Sequence, residues 1–335
     1  MSDKLKIGLI SFAHGHANSY FRCLERMPDV EITAIADERR SRVEHVLARC
    51  SAVYYEDYKE LLQTDIDAVI ICSENVRHAE HTLAAAYAGK HVLCEKPLGV
   101  TMEEMQAMID VCDKQGAQLM TSFPCRYLPA VAAAKEAIGR GEIGEIVAVK
   151  GMNRGTMPGQ WFIDPALSGG GAVLDHTVHV MDLLNWLLNS PVTEVCAEAG
   201  TLFHDIPVED AGIVHVKFAS GASAVIDTSW SRSKSFHSGG DVMLTIVGTE
   251  GVISVDALAQ KNEVYSDDAP HSRWSCWGDS MDAYLVKAFV DALRQRREVP
   301  ITGEDGLRSA QVALAAYASI RSGRTVKFIE GRFAG

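Results

Sequence analysis

The chain lacks any apolar run approaching the roughly 18 residues that a membrane span requires. It has no Cys-x-x-Cys pair and no His-Glu-x-x-His, so the common signatures of a structural zinc site and a metalloprotease are both missing. An excess of positive charge is missing too: 32 Lys and Arg stand against 44 Asp and Glu, a net charge of −12. That balance argues against a nucleic-acid partner and against an anionic membrane surface. The polar start, Met1 to Lys6, does not have the pattern of a signal peptide. No internal repeat or low-complexity linker interrupts the chain. Its eight cysteines are scattered and several lie in apolar runs, which reads as reduced core thiols in a cytoplasmic protein. The last absence concerns nucleotide binding: no Gly-x-Gly-x-x-Gly occurs where a dinucleotide fold would carry it.

What is present is an ordinary globular composition, 47% hydrophobic and 23% charged over 335 residues. That length predicts two domains. Up to residue 124 the pattern alternates. Strands are expected at Lys6–Ile10, Glu31–Ala36, Ala52–Tyr54, Ala68–Cys72, His91–Cys94 and Gln118–Ser122. Helices are expected at His16–Met27, Arg39–Cys50, Tyr58–Gln63, His78–Ala88 and Thr101–Gln115. This alternation predicts a doubly wound parallel α/β sheet, a Rossmann-type domain over residues 1–124. Residues 125–335 read as an α+β domain with an open, mostly antiparallel sheet. Its strands are expected at Glu145–Lys150, Val192–Ala199, Ala211–Phe218, Ala222–Ser231, Asp241–Val247 and Val252–Val255, and its helices at Pro129–Gly139, Ala172–Leu188, Ser280–Arg297 and Glu304–Ser322. A sheet of this kind can cover its open face with another copy, so a homo-oligomer is expected.

Three segments carry chemistry. Glu95-Lys96-Pro97 follows the apolar strand Val92-Leu93-Cys94, and so places Lys96 at the edge where open parallel sheets bind ligands. Burial makes a lysine proton easier to lose, which suits acid–base work; a solvated strand end with a turn proline is the plain alternative. The loop Ser11-Phe12-Ala13-His14-Gly15-His16 joins the first strand to the first helix. Ser11 and Ala13 are small enough for a pyrophosphate to approach, Gly15 supplies one flexible position, and His16 occupies the place where glycine favours close helix–strand packing. Asp37 ends the second strand, where an acid bonds a ribose 2′-hydroxyl and favours NAD; Arg39 and Arg40 next to it leave NADP possible. Asp37 also reads simply as a helix cap.

The third segment follows Gly169-Gly170-Gly171. Asp175 and His179, four apart on the expected helix, share a face with Asp182. Buried charge there is either paired or functional, and Asp182 has the alternative of only fixing the imidazole. His176, His179 and Asp175 also have the composition of a metal site, but no further ligand motif supports one, and no metal is expected.

Ala88-Gly89-Lys90-His91-Val92-Leu93-Cys94-Glu95-Lys96-Pro97 closely resembles the signature of the glucose–fructose oxidoreductase/inositol dehydrogenase (Gfo/Idh/MocA) family. Gly169-Gly170-Gly171-Ala172-Val173-Leu174-Asp175, running on to His179 and Asp182, does the same. Weaker echoes are Arg126-Tyr127, Gly141 to Ile146 and Thr245 to Gly251, and the order holds over essentially the whole chain. The departures are the glycine-poor first loop and Glu74, where the family often has proline. The resemblance implies a nicotinamide cofactor and a hydride exchange with a secondary alcohol or ketone of a sugar, cyclitol or related polyol. It implies that Lys96 is catalytic, that the Lys96–Pro97 bond is cis, and that Asp175 and His179 line the substrate pocket. In that reading His179 or Lys96 takes the hydroxyl proton while Lys96 stabilises the oxygen. The cofactor set is Ser11, Phe12, Ala13, His14, Gly15, His16, Asp37, Arg39, Cys72, Ser73, Asn75, His78, Glu95 and Lys96. The substrate set is Arg126, Tyr127, Trp161, Asp175, His176 and His179, with His271, Trp274 and Trp277 in a loop that could cover the pocket or pack between subunits. Two other functions stay open: an NAD-dependent glycoside hydrolase working through transient oxidation, and a non-catalytic dinucleotide-binding protein.

Overall fold

A computed structural model describes residues 4–236, 240–264, 267–268, 273–276 and 278–333. Along the chain the strands and helices run β1 Leu5–Ile10, α1 His16–Glu25, β2 Val30–Ala36, α2 Glu44–Leu47, β3 Val53–Tyr55, α3 Tyr58–Leu62, β4 Ala68–Ile71, α4 His78–Tyr87, β5 His91–Cys94, α5 Met102–Gln115 and β6 Leu119–Thr121. Next come α6 Pro129–Gly139, β7 Ile146–Gly155, α7 Pro165–Ser168, α8 Ala172–Leu188, β8 Val192–Gly200, β9 Ala211–Phe218, β10 Ser223–Asp227, β11 Gly240–Gly248 and β12 Val252–Asp256. The last are β13 Lys261–Val264, β14 Arg273–Cys276, α9 Met281–Arg294, α10 Gly303–Ser322 and β15 Val326–Lys327. Among the described residues no helix is long and apolar enough to cross a membrane.

The chain forms two compact units. The first holds Met1–Phe123, Gln160–Gly170 and Asp282–Leu314; the second holds Pro124–Gly159, Gly171–Met281 and Ala315–Gly335.

The first unit is built on a six-stranded sheet in the order β3-β2-β1-β4-β5-β6, and every pairing in it is parallel. Strands covered on both faces read as continuous apolar runs. Ala68-Val69-Ile70-Ile71 is buried at every position, and so are Val92, Leu93 and Cys94. Helix α5 shows how local sequence sets the ends. Thr101 Oγ1 accepts the Glu104 N–H at 3.2 Å, Glu103 and Glu104 fill the first turn of α5, and Gly116 closes it at φ 69°.

One expected helix is not there. Arg39–Cys50 forms only a 3-10 turn over Arg40–Arg42 and the single turn α2. Its apolar content explains this: only Val43 and Val46 are buried in the stretch, too little to hold a long helix on a sheet.

The second unit is built on a seven-stranded sheet in the order β12-β11-β7-β10-β9-β8-β15. Only β10 and β7 pair in parallel; the other pairings are antiparallel. Burial alternates along β9, which marks a sheet with one covered face. Helix α8 lies on that face, close enough that a Cβ on Gly212 would stand 2.5 Å from Val173 Cγ2, and one on Gly151 would stand 2.7 Å from Val180 Cγ1. Val147, Ile213 and Val225 on this sheet are 42–47% exposed. The strand expected at Glu145–Lys150 continues to Gly155 because β11 pairs with it throughout. The expected Ala222–Ser231 shrinks to β10. The segment holding His271, Trp274 and Trp277 contains the hairpin strand β14; His271 and Trp277 lie outside the described residues.

Candidate active site

In the first unit, the carboxyl ends of β1, β2, β4 and β5 bring most of the expected cofactor residues into one neighbourhood. The strand order is the one in which dinucleotides bind across the point where the order reverses, between β1 and β4. The loop after β1 has no glycine at its first turn, and Ser11 takes the left-handed conformation there, at φ 66°. Its Oγ accepts the Ala13 N–H at 3.2 Å, so the side chain closes the turn that a glycine would otherwise permit. Gly15 was expected to be the flexible position. It sits instead in ordinary right-handed geometry at φ −59°.

The loop is fastened on several sides. Phe12 N–H donates to Asp37 Oδ2 at 2.7 Å, His14 N–H to the Cys72 carbonyl at 2.9 Å, and His16 N–H to His14 Nδ1 at 3.1 Å. Trp161 Nε1–H donates to the Ala13 carbonyl at 3.0 Å, and its ring stacks on Phe162 at 3.9 Å. Trp161 was expected to face a sugar; in the structure it is buried and holds this loop. Asp37 is enclosed as well, accepting Phe12 N–H on one oxygen and Arg39 N–H, at 2.8 Å, on the other.

Glu95 is the buried hub of the site. Its Oε1 accepts the Tyr20 hydroxyl and His16 Nδ1, the latter at 3.0 Å, and its Oε2 accepts the Lys96 N–H at 3.0 Å. Burial works to raise this carboxyl's pKa, but the imidazoles of His16 and His14 outweigh it and hold Glu95 well below the usual carboxylate range. Burial works to lower His16, and Glu95 outweighs it in turn, leaving the imidazole above its usual value. Burial and Glu95 together push Tyr20 well up. Lys96 is buried at 4% exposure, and its bond to Pro97 is cis. His16 therefore turns toward Glu95, while Ala17, Tyr20, Phe21 and Leu24 pack α1. Tyr20 was not anticipated, although its spacing of one helical turn from His16 is the signal that places it here.

The segment after β4 supports the same turn. His78 is fully buried, with Nδ1 2.7 Å from the Pro97 carbonyl and Nε2 3.2 Å from the Ser73 carbonyl, and burial lowers its pKa. His78, the first residue of α4, thereby ties that helix to the Lys96–Pro97 bend. Asn75 Nδ2–H donates to the Ser168 carbonyl at 2.8 Å.

His14, His16 and Glu95 bring one ligand atom each within 4.8 Å of one another, the one grouping of metal-ligand type among the described residues. His176 with His179 and Asp175, which share the composition of a metal site, are not such a grouping. Hydrogen bonding argues for a network here and against a metal cage. His14 Nδ1 already accepts a backbone N–H, and Glu95 Oε1 already accepts two partners.

In the second unit the site residues ride on α8. Asp175 and His179 are half-buried along a helix whose neighbouring positions are buried. Asp175 Oδ2 accepts Trp230 Nε1–H at 3.1 Å and lies 3.3 Å from His176 Nε2. Asp182, expected on the same functional stripe, pairs with Arg126 through bonds of 2.8 and 2.5 Å. Both are buried, and the Arg126 guanidinium lies 5.6 Å from the centre of the Trp186 ring. This bidentate pair ties the turn at Pro124–Tyr127 to α8, and it gives Arg126 a structural partner; Tyr127 beside it is half-buried.

The amino end of α8 is capped from outside. Its N-cap, Gly171, has no side chain to offer, and Glu209 Oε1 accepts Gly171 N–H at 3.0 Å, Val173 N–H at 3.1 Å and the Tyr317 hydroxyl at 2.7 Å. A Cβ on Gly171 would stand 2.1 Å from the Glu209 carbonyl oxygen, which is why this position is a glycine.

Comparison with known proteins agrees with this architecture. Residues 6–123 match the family described as "Oxidoreductase family, NAD-binding Rossmann fold", and residues 131–254 match "GFO/IDH/MocA C-terminal domain". The chain is 30% identical to the uncharacterized oxidoreductase YrbE of Bacillus subtilis, over 90% of this chain and 91% of that protein. It is 30% identical to myo-inositol 2-dehydrogenase of Thermotoga maritima, over 97% of this chain and 98% of that protein. In fold it is similar to GenD2 from gentamicin A biosynthesis, solved in complex with NAD, with a TM-score of 0.90, 24% identity, and coverage of 98% and 97% of the two chains. The chain belongs to the GFO/IDH/MocA family of oxidoreductases, with an NAD-binding Rossmann domain on its amino-terminal side.

Proposed function

We propose that the protein is a nicotinamide-dependent dehydrogenase that interconverts a secondary alcohol and a ketone on a sugar, cyclitol or related polyol. The observation that carries this reading is the Glu95-Lys96-Pro97 bend: a buried lysine at the carboxyl edge of a parallel sheet, its amide fixed by a buried carboxylate. The substrate class is supported by the myo-inositol 2-dehydrogenase relative.

Residues 1–124 serve the dinucleotide, and residues 125–335 serve the substrate and self-association. A bound nicotinamide supplies the hydride acceptor. The Lys96 ammonium is suited to stabilising an alkoxide, and the His179 imidazole to proton transfer near neutrality. Asp175, oriented by Trp230 and His176, accepts a neighbouring hydroxyl. Glu95, His16 and Tyr20 keep the Lys96 backbone in place. The exposed Val147, Ile213 and Val225 support a homo-oligomer formed over the second sheet, and sedimentation equilibrium showing only monomer would remove that part. A cytoplasmic location is supported by thiols such as Cys23, Cys50 and Cys196, which form no disulfide.

The test is a panel of sugars, inositols and sugar acids with NAD and NADP, followed by reduced-cofactor absorbance. Stoichiometric NADH release is expected; sugar release without net NADH would point to glycoside cleavage instead. Lys96→Met should abolish turnover and leave NADH affinity within a few-fold, and retained turnover would remove Lys96 from the mechanism.

A further inference from the structure

The ends of β2 and β4 carry more acid than a ribose hydroxyl needs. Asp37 and Glu74 are both buried, at 4% and 8% exposure. One guanidinium serves both: Arg42 Nη1 is 3.7 Å from Asp37 Oδ1, and Arg42 Nη2 is 3.7 Å from Glu74 Oε1. Two carboxylates thus share this cation, with Arg77 acting on Glu74 from further off.

Of the other nearby bases, Arg39 is exposed and two have partners of their own. The Arg40 guanidinium lies over the Tyr54 ring at 4.9 Å. Arg77 bonds Glu38 and lies 3.9 Å from Glu80. Asp37 has a second job, because its carboxylate fastens the β1–α1 loop through Phe12 N–H and the following turn through Arg39 N–H.

In this fold the acid after the second strand faces the adenosine ribose, where NADP carries its 2′-phosphate. We propose that Glu74 is the residue that sets cofactor choice in this chain. It adds a second buried negative charge beside the ribose position and draws the Arg42 guanidinium away from a 2′-phosphate, which makes the protein selective for NAD(H). Asp37 is primarily the staple of the loop. The two acids therefore separate by experiment: Glu74 governs the ratio of affinities, and Asp37 governs affinity for both cofactors.

The inference rests on dinucleotide binding and on no particular substrate, so it is tested by equilibrium titration of the purified protein with NADH and NADPH, using nucleotide fluorescence. The wild type should bind NADH at least tenfold more tightly than NADPH. Glu74→Gln should tighten NADPH about tenfold, equivalent to about 1.4 kcal/mol, and leave NADH within about twofold. Adding Arg42→Met to Glu74→Gln should cancel that gain, because the released guanidinium is what meets the phosphate. Asp37→Asn should weaken both nucleotides together. Glu74→Ala, with circular dichroism as a check on folding, replaces Glu74→Gln if that variant fails to fold. An unchanged ratio in the folded Glu74 variants would overturn the proposal, as would Asp37→Asn shifting the ratio with NADH affinity intact. Failure of the wild type to bind either nucleotide at millimolar concentration would overturn the dehydrogenase reading as well.

Discussion

Glu209 caps the amino end of α8. Helices leave their first N–H groups without intrahelical partners, and α8 begins with a glycine that cannot cap them. Glu209 supplies both acceptors. Its carbonyl takes Ala172 N–H at 3.0 Å, and its carboxylate takes Gly171 N–H and Val173 N–H. Glu209→Ala removes the carboxylate and keeps the carbonyl. Losing a capping side chain costs about 0.5–2 kcal/mol, removing a negative charge from a helix amino end costs about 0.3–1 kcal/mol, and a buried hydroxyl deprived of its acceptor costs about 1–3 kcal/mol. Gly171 N–H still donates to the Tyr317 hydroxyl oxygen at 3.1 Å, which places the capping share at the low end. The sum is about 2–4 kcal/mol, a fall in Tm of roughly 3–6 °C for a chain of this size. Glu209→Gln keeps one neutral acceptor and should recover about half of the loss, since bonds to a charged group are roughly twice as strong as neutral ones. Thermal melts of the three proteins, with hydrogen exchange at the amides of residues 171–175, make the test. Melting of both variants within a degree of wild type would refute the argument, because it would mean that the helix start is held without the carboxylate.

Other consequences can be measured independently. Asp210 is fully enclosed and accepts Leu202, Phe203 and His204 N–H together with His204 Nδ1; Asp210→Asn turns an amide NH2 toward those donors and should cost about 2–3 kcal/mol in urea unfolding. Burial works to raise Asp210, but those backbone amides outweigh it and leave it lowered, as Glu95 is by its imidazoles. Their stabilisation is therefore fully present above the unfolded value near pH ~4 and is lost as pH falls through the folded values. The urea midpoint should drop on acidification below that point, less steeply in Asp210→Asn; a flat acid limb in the wild type would contradict the assignment. His16 is raised, so its contribution is complete below an unfolded value near ~6.5 and fades as pH rises through the folded one; His16→Asn should remove that alkaline loss. Prolonged dialysis against EDTA should leave turnover unchanged, and activity restored only by a divalent metal would return His14, His16 and Glu95 to the status of ligands.

Much of this arrangement is legible in the sequence, for reasons that differ by element. Helices α6 and α8 and strands β5 and β9 begin and end where their patterns place them, because each has a clear signal: Pro129 at a helix start, a glycine run before α8, alternation along β9. The parallel pairing of the first sheet follows from the strand–helix alternation, whereas its strand order is seen only in the structure. What the sequence hides is partnership. Asp182 and His179 share a helix face, but Asp182 is claimed by Arg126 from the turn at Pro124–Tyr127. Trp161 looks like a sugar platform until the Ala13 carbonyl is seen accepting its N–H. Glu209 carries no local sign of its task, since the glycine it serves is 38 residues away. Long-range hydrogen bonds decide these roles, and periodicity contains no record of them.

The glycine-poor loop shows how such partnerships replace a motif. A glycine-rich turn is permissive because the backbone adopts left-handed geometry at no steric cost. Here Ser11 adopts it, at φ 66°, and a non-glycine residue held there costs on the order of 1–3 kcal/mol unless its surroundings over-determine it. They do. Ser11 N–H donates to the Ala36 carbonyl at 2.8 Å, Ser11 Oγ closes the turn on Ala13, Asp37 holds Phe12, Cys72 holds His14 and Trp161 holds Ala13. Five anchors on consecutive residues exchange the adaptability of glycine for a loop fixed before any nucleotide arrives. Several of its amides are already bonded within the protein, and the proposed seat of selectivity is the charged groups at the ends of β2 and β4. That is where Glu74 departs from the family pattern, and Arg42 is the cation it shares with Asp37.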